Sequence, residues 1–175
     1  PVHGVGGHRG AAVERGVDII YSGTVGAAIE AAFLGVPSIA VSLLLRKGRP
    51  RFDIAADHAR RAIERLLADG LPPAHTCLNI NIPATEAPSD TDTLDMPEIV
   101  VCPMNTHGLV DAYEKRTSPA GATYYWPAGN GLDFHALDEG TDVEQLFAGK
   151  ITVTPLSYDV TRDDQLDWLQ SRLLD

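Results

Sequence analysis

The chain has 175 residues, of which 44% are hydrophobic and 22% charged, a composition typical of a globular protein with a substantial core. Its net charge of −10 is uneven: residues 1–70 hold nine Lys or Arg against seven Asp or Glu, whereas the rest hold five against seventeen. This distribution excludes a broad surface for duplex nucleic acid, and no apolar run is long enough to span a membrane. The two cysteines, Cys77 and Cys102, are too few for a disulfide framework and indicate free thiols of a cytoplasmic protein.

The first sixteen residues are rich in Gly and Ala and predict a flexible N-terminal segment with no clear secondary structure. The run from Gly4 to Gly10 looks superficially like a phosphate loop, but no strand precedes it, so the dinucleotide-binding signal is weak. His3 and His8 could ligate a metal, although two histidines near a terminus are more often bystanders. Because the first residue is Pro1 rather than Met, we expect a fragment or a processed product.

The next stretch predicts a buried strand over residues 17–20 and a helix over residues 24–34. Between them lie Ser22, Gly23 and Thr24, two good N-cap residues around a glycine that allows a sharp turn. Such a turn directs free N–H groups and the positive end of a helix dipole at a ligand, which suits a phosphate. On these residues alone, an ordinary capped helix is the better interpretation.

Gly35 and Pro37 end this helix, and residues 38–45 predict a second buried strand. Strand, helix and strand with short joints form the parallel crossover unit of an α/β fold. Residues 46–51 then carry four positive charges, beyond the carboxyl end of a strand, where α/β sheets bind ligands. A substrate-guiding loop and a merely solvated loop are equally consistent with this pattern.

Residues 53–69 predict an amphipathic helix, with His58 on its surface. Residues 78–83 predict a third strand, in which Asn79 and Asn81 share one face. These amides could reach a site, but we expect them to bond to adjacent loops.

After residue 83 the sequence loses its regular apolar pattern, and residues 84–97 predict a polar loop. Tyr124, Tyr125 and Trp126 favour a strand beside the turn at residues 118–121. The predicted elements are a strand at 99–102, a hairpin at 109–126, a short helix from Thr141 closed by Gly149, a strand at 151–156 and a helix at 161–174. We therefore assign residues 1–104 to the α/β core and residues 105–175 to a hairpin extension, a late strand and a C-terminal helix that serve oligomerisation.

Several motifs resemble, in order and spacing, those of the SurE (survival protein E) nucleotidase family. The resemblance covers roughly residues 16–161. The motifs that carry it are Tyr21–Ala28, Pro37–Leu43, Leu78–Pro83, Thr123–Trp126, Glu139–Asp142 and Ile151–Leu156.

The resemblance implies a three-layer, Rossmann-like α/β fold with a mostly parallel sheet, a β-hairpin extension and a C-terminal helix. It implies a 5′/3′-nucleotidase, an enzyme that hydrolyses nucleoside monophosphates with a metal-activated water. The phosphate would bind at Ser22, Gly23 and Thr24, and the cofactor would be one divalent cation, Mg²⁺ or Mn²⁺. It further implies a homodimer or homotetramer built through the hairpin and an exchanged C-terminal segment.

Four metal ligands that the family carries have no counterpart here: the Asp pair of an Asn-Asp-Asp-Gly strand end, a Ser, and an Asn that would fall near Gly10. Glycine after Glu30 is also common in the family, whereas this chain has Ala31. The sequence thus identifies neither a catalytic residue nor a metal ligand. One hypothesis is a nucleotidase whose metal-binding segment lies upstream of Pro1, so that the gene encodes an Asp-Asp pair there. The alternative is a non-catalytic relative that binds nucleotides or partner subunits. An unrelated dinucleotide-binding domain has little support.

Overall fold

The computed structural model describes Ile19 and residues 22–86, 95–107, 112–128 and 136–174. The helices are α1 (Gly23–Phe33), α2 (Phe52–Leu66), α3 (Asp142–Phe147) and α4 (Leu166–Leu173). The strands are β1 (Ser38–Leu43), β2 (Cys77–Ile82), β3 (Ile99–Val101), β4 (Ala112–Thr117), β5 (Thr123–Ala128) and β6 (Ile151–Leu156). Within the described ranges, no helix is long and apolar enough to cross a membrane.

The central sheet has the order β1-β2-β6-β3. β1 pairs with β2 and β3 pairs with β6 in parallel, while β2 and β6 run antiparallel, so two of the three pairings are parallel. The late strand β6 therefore lies inside the core sheet, between two strands that precede it in the chain. The hairpin of β4 and β5 forms a separate two-stranded sheet, as predicted.

Helices cover the two faces of the sheet, which gives the three layers of the predicted α/β fold. On one face, Val25, Ala28 and Ala32 of α1 pack against Ala40 and Cys77. On the other, α2 packs through Ala55 against the apolar strand residues Ile80, Ile82, Ile151 and Val153. Alternate residues of a strand point to opposite faces, so each strand divides its side chains between the two helical layers.

Helix α1 runs back along the sheet, antiparallel to β1. Its C-terminal turn contacts the amino-terminal edge, where the His75 Nδ1 atom bonds the Ala32 carbonyl at 2.9 Å just before β2 begins. Ser38 Oγ, at the start of β1, donates to the Ala28 carbonyl at 2.6 Å. The eleven residues of α1 are about 16 Å long, close to the length of the six-residue β1. The N-terminus of α1 therefore points toward the carboxyl ends of β1 and β2.

One sequence prediction about local structure is wrong, and another lies mostly outside the described residues. Of the predicted strand at residues 17–20 only Ile19 is described, and its carbonyl accepts a hydrogen bond from the Ser22 amide at 3.3 Å in a turn. His58 is buried, with 2% of its surface exposed, rather than on the helix surface. The buried stripe of α2 passes through Ile54, Ala55 and Ala62, and His58 falls within it.

Both cysteines are buried and unpaired, as the sequence predicts. Burial raises the pKa of the Cys77 and Cys102 thiols above the usual range, which keeps them protonated. They are therefore poor nucleophiles and contribute packing rather than chemistry.

Candidate functional site: an anion-binding turn at the start of α1

The Ser22-Gly23-Thr24 turn opens α1, whose N-terminus points toward the carboxyl ends of β1 and β2. Ser22 is the N-cap, with extended backbone angles, and its Oγ accepts a hydrogen bond from the Val25 amide at 3.2 Å. Gly23 and Thr24 are exposed. The first turn of α1 contains no acidic residue that would neutralise the positive end of the helix dipole. The geometry thus offers exposed N–H groups and an uncompensated dipole to an anion.

The fold gives no reason for a glycine at position 23. It is the first residue of the helix, and it is absent from the glycines with positive φ, so the sharp turn that the sequence suggested does not depend on it. A Cβ atom built on Gly23 would meet nothing within 4 Å. Glycine in a helix is less favourable than alanine by roughly 0.5–1 kcal/mol. A ligand that approaches the backbone closely would explain why this position lacks a side chain.

We predict that Gly23→Ala raises the free energy of unfolding by about 0.5–1 kcal/mol and weakens phosphate binding. The added methyl group fits the free protein but occupies space beside the N–H groups of the turn. Thermal unfolding and titration with inorganic phosphate check the two effects. Gly26→Ala is the matched control, because its Cβ also meets nothing within 4 Å but lies one turn further along the helix. Equal phosphate affinity in the two variants would contradict the role of Gly23.

The basic loop, residues 46–51, follows the carboxyl end of β1. Arg46, Lys47 and Arg49 are exposed. Arg51 is held differently, because its guanidinium contacts both oxygens of Asp53, at 3.1 and 2.9 Å. Three solvent-facing cations therefore follow the carboxyl end of β1, and the expectation that they share a crevice with the Ser22 turn stays a prediction.

Asn79 and Asn81 lie on the α1 face of β2, because they share the side-chain parity of Cys77 in the α1 cluster. Both are 1% exposed, and the register places Thr152 opposite Asn81. None of these side chains has a hydrogen-bond partner in the described part of the chain, so the prediction that the amides bond to adjacent loops is wrong. The interior beside α1 therefore contains a strip of polar side chains.

A buried carboxylate joins the loop after β3 to the start of α3. Asp142 Oδ1 accepts hydrogen bonds from the Asn105 amide at 2.7 Å and from the Val143 amide at 2.8 Å. The Asp142 amide donates to the Pro103 carbonyl at 2.9 Å. Burial raises the pKa of Asp142, and the two backbone donors oppose that rise. Asp142 therefore holds the loop after β3 and the start of α3 together through its hydrogen bonds.

The described residues do not fit a divalent cation. Mg²⁺ and Mn²⁺ prefer several carboxylate or carbonyl oxygens converging on one point. Within the ranges that the structure describes, no group of three or more His, Cys, Asp or Glu residues could hold a metal ion. Ser22 Oγ accepts from the Val25 amide, and the neighbouring Gly23 brings no side chain. The turn is thus suited to an anion rather than a cation.

Sequence reasoning missed three residues that hold loops in place: Thr85, Glu86 and Asp142. Thr85 and Glu86 lie in the stretch read as a polar loop without periodicity, and their partners are 34 and 40 residues away in the chain. Asp142 lies in one of the motifs that resemble the family, but an Asp that opens a helix is ordinarily exposed. Only the tertiary structure shows that Asp142 is buried.

The fold is that of an α/β protein of the Rossmann-like class, with an exposed helix N-terminus free of acidic residues at the Ser22 turn. A family model described as "Survival protein SurE" matches residues 9–107. The chain belongs to the SurE family.

Proteins similar to this chain include two named 5'-nucleotidase SurE. The protein from Heliobacterium modesticaldum is 40% identical over 158 residues, which cover 88% of this chain and 55% of that relative. The protein from Rhodopirellula baltica is 41% identical over 167 residues, which cover 89% and 60%. The crystal structure of the SurE protein from Aquifex aeolicus superposes with a TM-score of 0.68 at 32% identity, covering 92% of this chain and 61% of that one. The chain thus spans less than two thirds of the length of these relatives.

Proposed function

We propose that this chain is the phosphate-binding part of a metal-dependent nucleotidase that hydrolyses nucleoside 5′- or 3′-monophosphates, acting in the cytoplasm. The observation that carries the proposal is the exposed, acid-free N-terminus of α1, where Gly23 leaves open space. The curated names of the relatives support the reaction class. The two buried free thiols suit a reducing compartment.

In this proposal the turn binds the phosphoryl group of the substrate. Backbone N–H groups of the first turn donate to the phosphate oxygens, and the hydroxyl of Thr24 adds a further donor. Such donors favour the charge that develops on the oxygens during phosphoryl transfer. A divalent cation would supply Lewis acidity and a nucleophilic water. Its ligands would come from residues other than those that the structure describes.

Phosphate release from nucleoside monophosphates by the full-length protein tests the proposal. We expect turnover with Mn²⁺ or Mg²⁺, and loss of turnover when a chelator is added. A variant of the turn that keeps its fold serves as the inactive control. Substrate binding without hydrolysis under any metal condition would refute the enzymatic proposal.

A non-catalytic relative is the second candidate. It is favoured by the absence of a metal-binding cluster within the described residues. Such a protein would bind nucleotides through the same turn without hydrolysing them. Metal-stimulated turnover that a chelator abolishes would eliminate this candidate.

The same chain carries apolar surfaces that suit self-association into a homodimer or homotetramer. Among the described residues, the strands of the hairpin pair only with each other, and Tyr125 and Trp126 are 65% and 43% exposed. Helix α4 has no buried residue. An apolar groove of about 920 Å³ lies between α1 and the end of β6, and its lining includes Ile29, Val101, Met104, Leu156 and Val160. Exposed apolar area of this kind marks interaction surfaces.

We predict that the double substitution Leu169→Glu and Leu173→Glu lowers the oligomeric state without unfolding the protein. Both side chains are exposed on α4, so the new charges cost little in one chain but are unfavourable in an apolar interface. Sedimentation equilibrium measures the mass. Ser171→Glu is the matched control on the same helix. An unchanged mass for the double variant would exclude α4 from the interface.

A further inference from the structure

We propose that the apolar groove between α1 and the end of β6 is a nucleoside subsite, which takes the sugar and base of a nucleotide whose phosphate binds at the Ser22 turn. Thr154, a strand residue that lines the groove, bonds the polar edge of the base. The inference rests on the proposed function, because the phosphate is taken to bind at this turn.

The groove adjoins the Ser22 turn on both sides of it in the chain. Ile19 lines the groove, and its carbonyl accepts the Ser22 amide at 3.3 Å. Gly26 also lines the groove, and its amide donates to the Ser22 carbonyl at 2.8 Å. Four residues of a helix span about 6 Å along its axis, so Gly26 is close to the turn. Because a nucleotide joins its phosphate to its sugar by a single ester link, a phosphate at the turn brings the nucleoside to the groove.

The groove has the size and lining of a pocket for a small molecule. Its volume is about 920 Å³, and pockets for ligands of this class measure roughly 300–1,000 Å³. None of the described residues that line it is acidic, so no lining carboxylate repels the phosphate of a nucleotide. Most of the lining is apolar, which suits the flat faces of a nucleobase. The apolar side chains include Ile29, Val101, Met104, Leu156 and Val160.

Thr154 adds a buried polar group to this apolar lining. Its side chain is 3% exposed, and Oγ1 has no hydrogen-bond partner in the described part of the chain. The register places Asn79 directly opposite Thr154, and the Asn79 amide also has no partner there. A buried hydroxyl without a partner lowers stability, so a ligand that completes its hydrogen bonds would explain it. A hydroxyl both donates and accepts, so it can bond either kind of group on the edge of a base.

Two features distinguish the groove from the hairpin and α4 as an apolar surface. The groove adjoins the Ser22 turn, and it contains a buried hydroxyl that lacks a partner. Apolar side chains of a second copy would cover the walls but leave the hydroxyl unsatisfied. A nucleoside covers the walls and also supplies a donor or an acceptor to Thr154. The groove therefore fits a nucleoside better than a second copy of the chain.

Equilibrium binding to the full-length protein without added metal tests the assignment. The probes are inorganic phosphate, ribose 5-phosphate and adenosine 5′-monophosphate (AMP), which add first the sugar and then the base to one phosphate group. We expect AMP to bind about thirtyfold more tightly than ribose 5-phosphate, because its base buries apolar area in the groove. Equal affinities for AMP and ribose 5-phosphate would overturn the proposal.

The Gly26→Leu variant fills part of the groove. A Cβ atom at Gly26 meets nothing within 4 Å, so the fold accepts the substitution. We expect the affinity for AMP to fall about tenfold or more and the affinity for inorganic phosphate to stay within about twofold. Ala27→Leu is the matched control, because Ala27 is exposed at the next helix position and does not line the groove.

Sedimentation equilibrium of the Gly26→Leu variant distinguishes the two occupants of the groove. We expect its mass to equal that of the wild-type protein. A lower mass together with an unchanged affinity for AMP would assign the groove to a second copy of the chain and overturn the proposal.

The Thr154→Val variant removes the hydroxyl and keeps the shape of the side chain. Without nucleotide it should unfold at the same or a higher temperature, because the hydroxyl has no partner to lose. The affinity for AMP should fall about fivefold, with no change for inorganic phosphate. Thr152→Val is the matched control: Thr152 is on the same strand and face, buried and without a partner, but does not line the groove. Equal affinities of the two variants for AMP would refute the role of Thr154.

Hydrolysis of AMP is measured separately, with metal added. A protein that prefers AMP over ribose 5-phosphate but hydrolyses neither would refute the nucleotidase proposal and leave the nucleoside subsite standing. A protein that hydrolyses AMP but binds it no better than ribose 5-phosphate would refute only the subsite.

Discussion

The Ser22→Asp variant is expected to fold as stably as the wild-type protein and to lose phosphate binding almost completely. Ser22 Oγ accepts the Val25 amide at 3.2 Å, and an Asp carboxylate at an N-cap accepts the same kind of bond. A negative charge is also favourable at a helix N-terminus. The fold therefore tolerates the substitution, whereas a bound phosphate would face a like charge.

The size of the effect follows from Coulomb's law. Two unit charges about 4 Å apart near a protein surface repel by about 4 kcal/mol at an effective dielectric constant of about 20. Solvent screening reduces this figure, so we expect the affinity for inorganic phosphate and the kcat/KM for a nucleoside monophosphate to fall at least about a hundred-fold. Calorimetric titration and a phosphate-release assay of the full-length protein measure the two quantities.

Ser22→Asn is the control that separates charge from capping. Asn is as good an N-cap residue as Asp and carries no charge. It should keep both the melting temperature and most of the phosphate affinity. If Asp and Asn reduce binding equally, the hydroxyl itself is required. If neither reduces it, the phosphate binds elsewhere and the assignment of the turn is wrong.

The elements that the sequence predicted well are those whose signal is local. The amphipathic pattern of α2 and the Gly35 and Pro37 signals after α1 depend on neighbouring residues, and the observed bounds differ by a few residues at most. The place of β6 could not be predicted in this way. Its apolar pattern identifies a strand, but only tertiary packing inserts it antiparallel to β2 and parallel to β3.

The candidate site was partly predictable, because some of its residues also carry a local signal in the sequence. Ser22 and Thr24 are recognisable as caps in the sequence, and the helix that they open is present. Glu86 has no such signal, because its bond to the Arg46 amide joins residues 40 positions apart. His58 was misplaced because a polar residue on a helix is ordinarily assigned to the solvent face, although the buried stripe of α2 includes its position.

The Asp142→Ala variant is expected to show the largest loss of stability among the substitutions considered. It removes the acceptor of the Asn105 and Val143 amides at once. The Asn105 residue is fully buried, so water does not readily replace the lost bond. Leaving a buried donor unsatisfied costs about 1–3 kcal/mol, so the free energy of unfolding should fall by about 2–4 kcal/mol. Urea unfolding measures the change.

Asp142→Asn separates the hydrogen bonds from the charge. Both backbone donors bond the same atom, Oδ1, and an Asn side chain presents an equivalent oxygen. We therefore expect this variant to be at least as stable as the wild-type protein at neutral pH, because a neutral amide does not bear the burial cost of a charged carboxylate. The exposed Asp69, replaced by Asn, controls for the change in net charge. A loss as large as that of the Ala variant would mean that the negative charge itself is needed.

The pH dependence of unfolding has a definite sign. Burial raises the folded-state pKa of Asp142 above its ordinary value of 3.8, so the folded protein binds this proton more tightly than the unfolded chain does. The contribution of Asp142 is therefore most favourable below the ordinary value and becomes less so as the pH rises through the raised pKa. Relative to Asp142→Asn, the wild-type protein should lose stability over this interval as the pH increases. If the free energies of unfolding of the two proteins change in parallel with pH, burial does not raise the pKa of Asp142. Asp142 would then join the two segments through its hydrogen bonds alone.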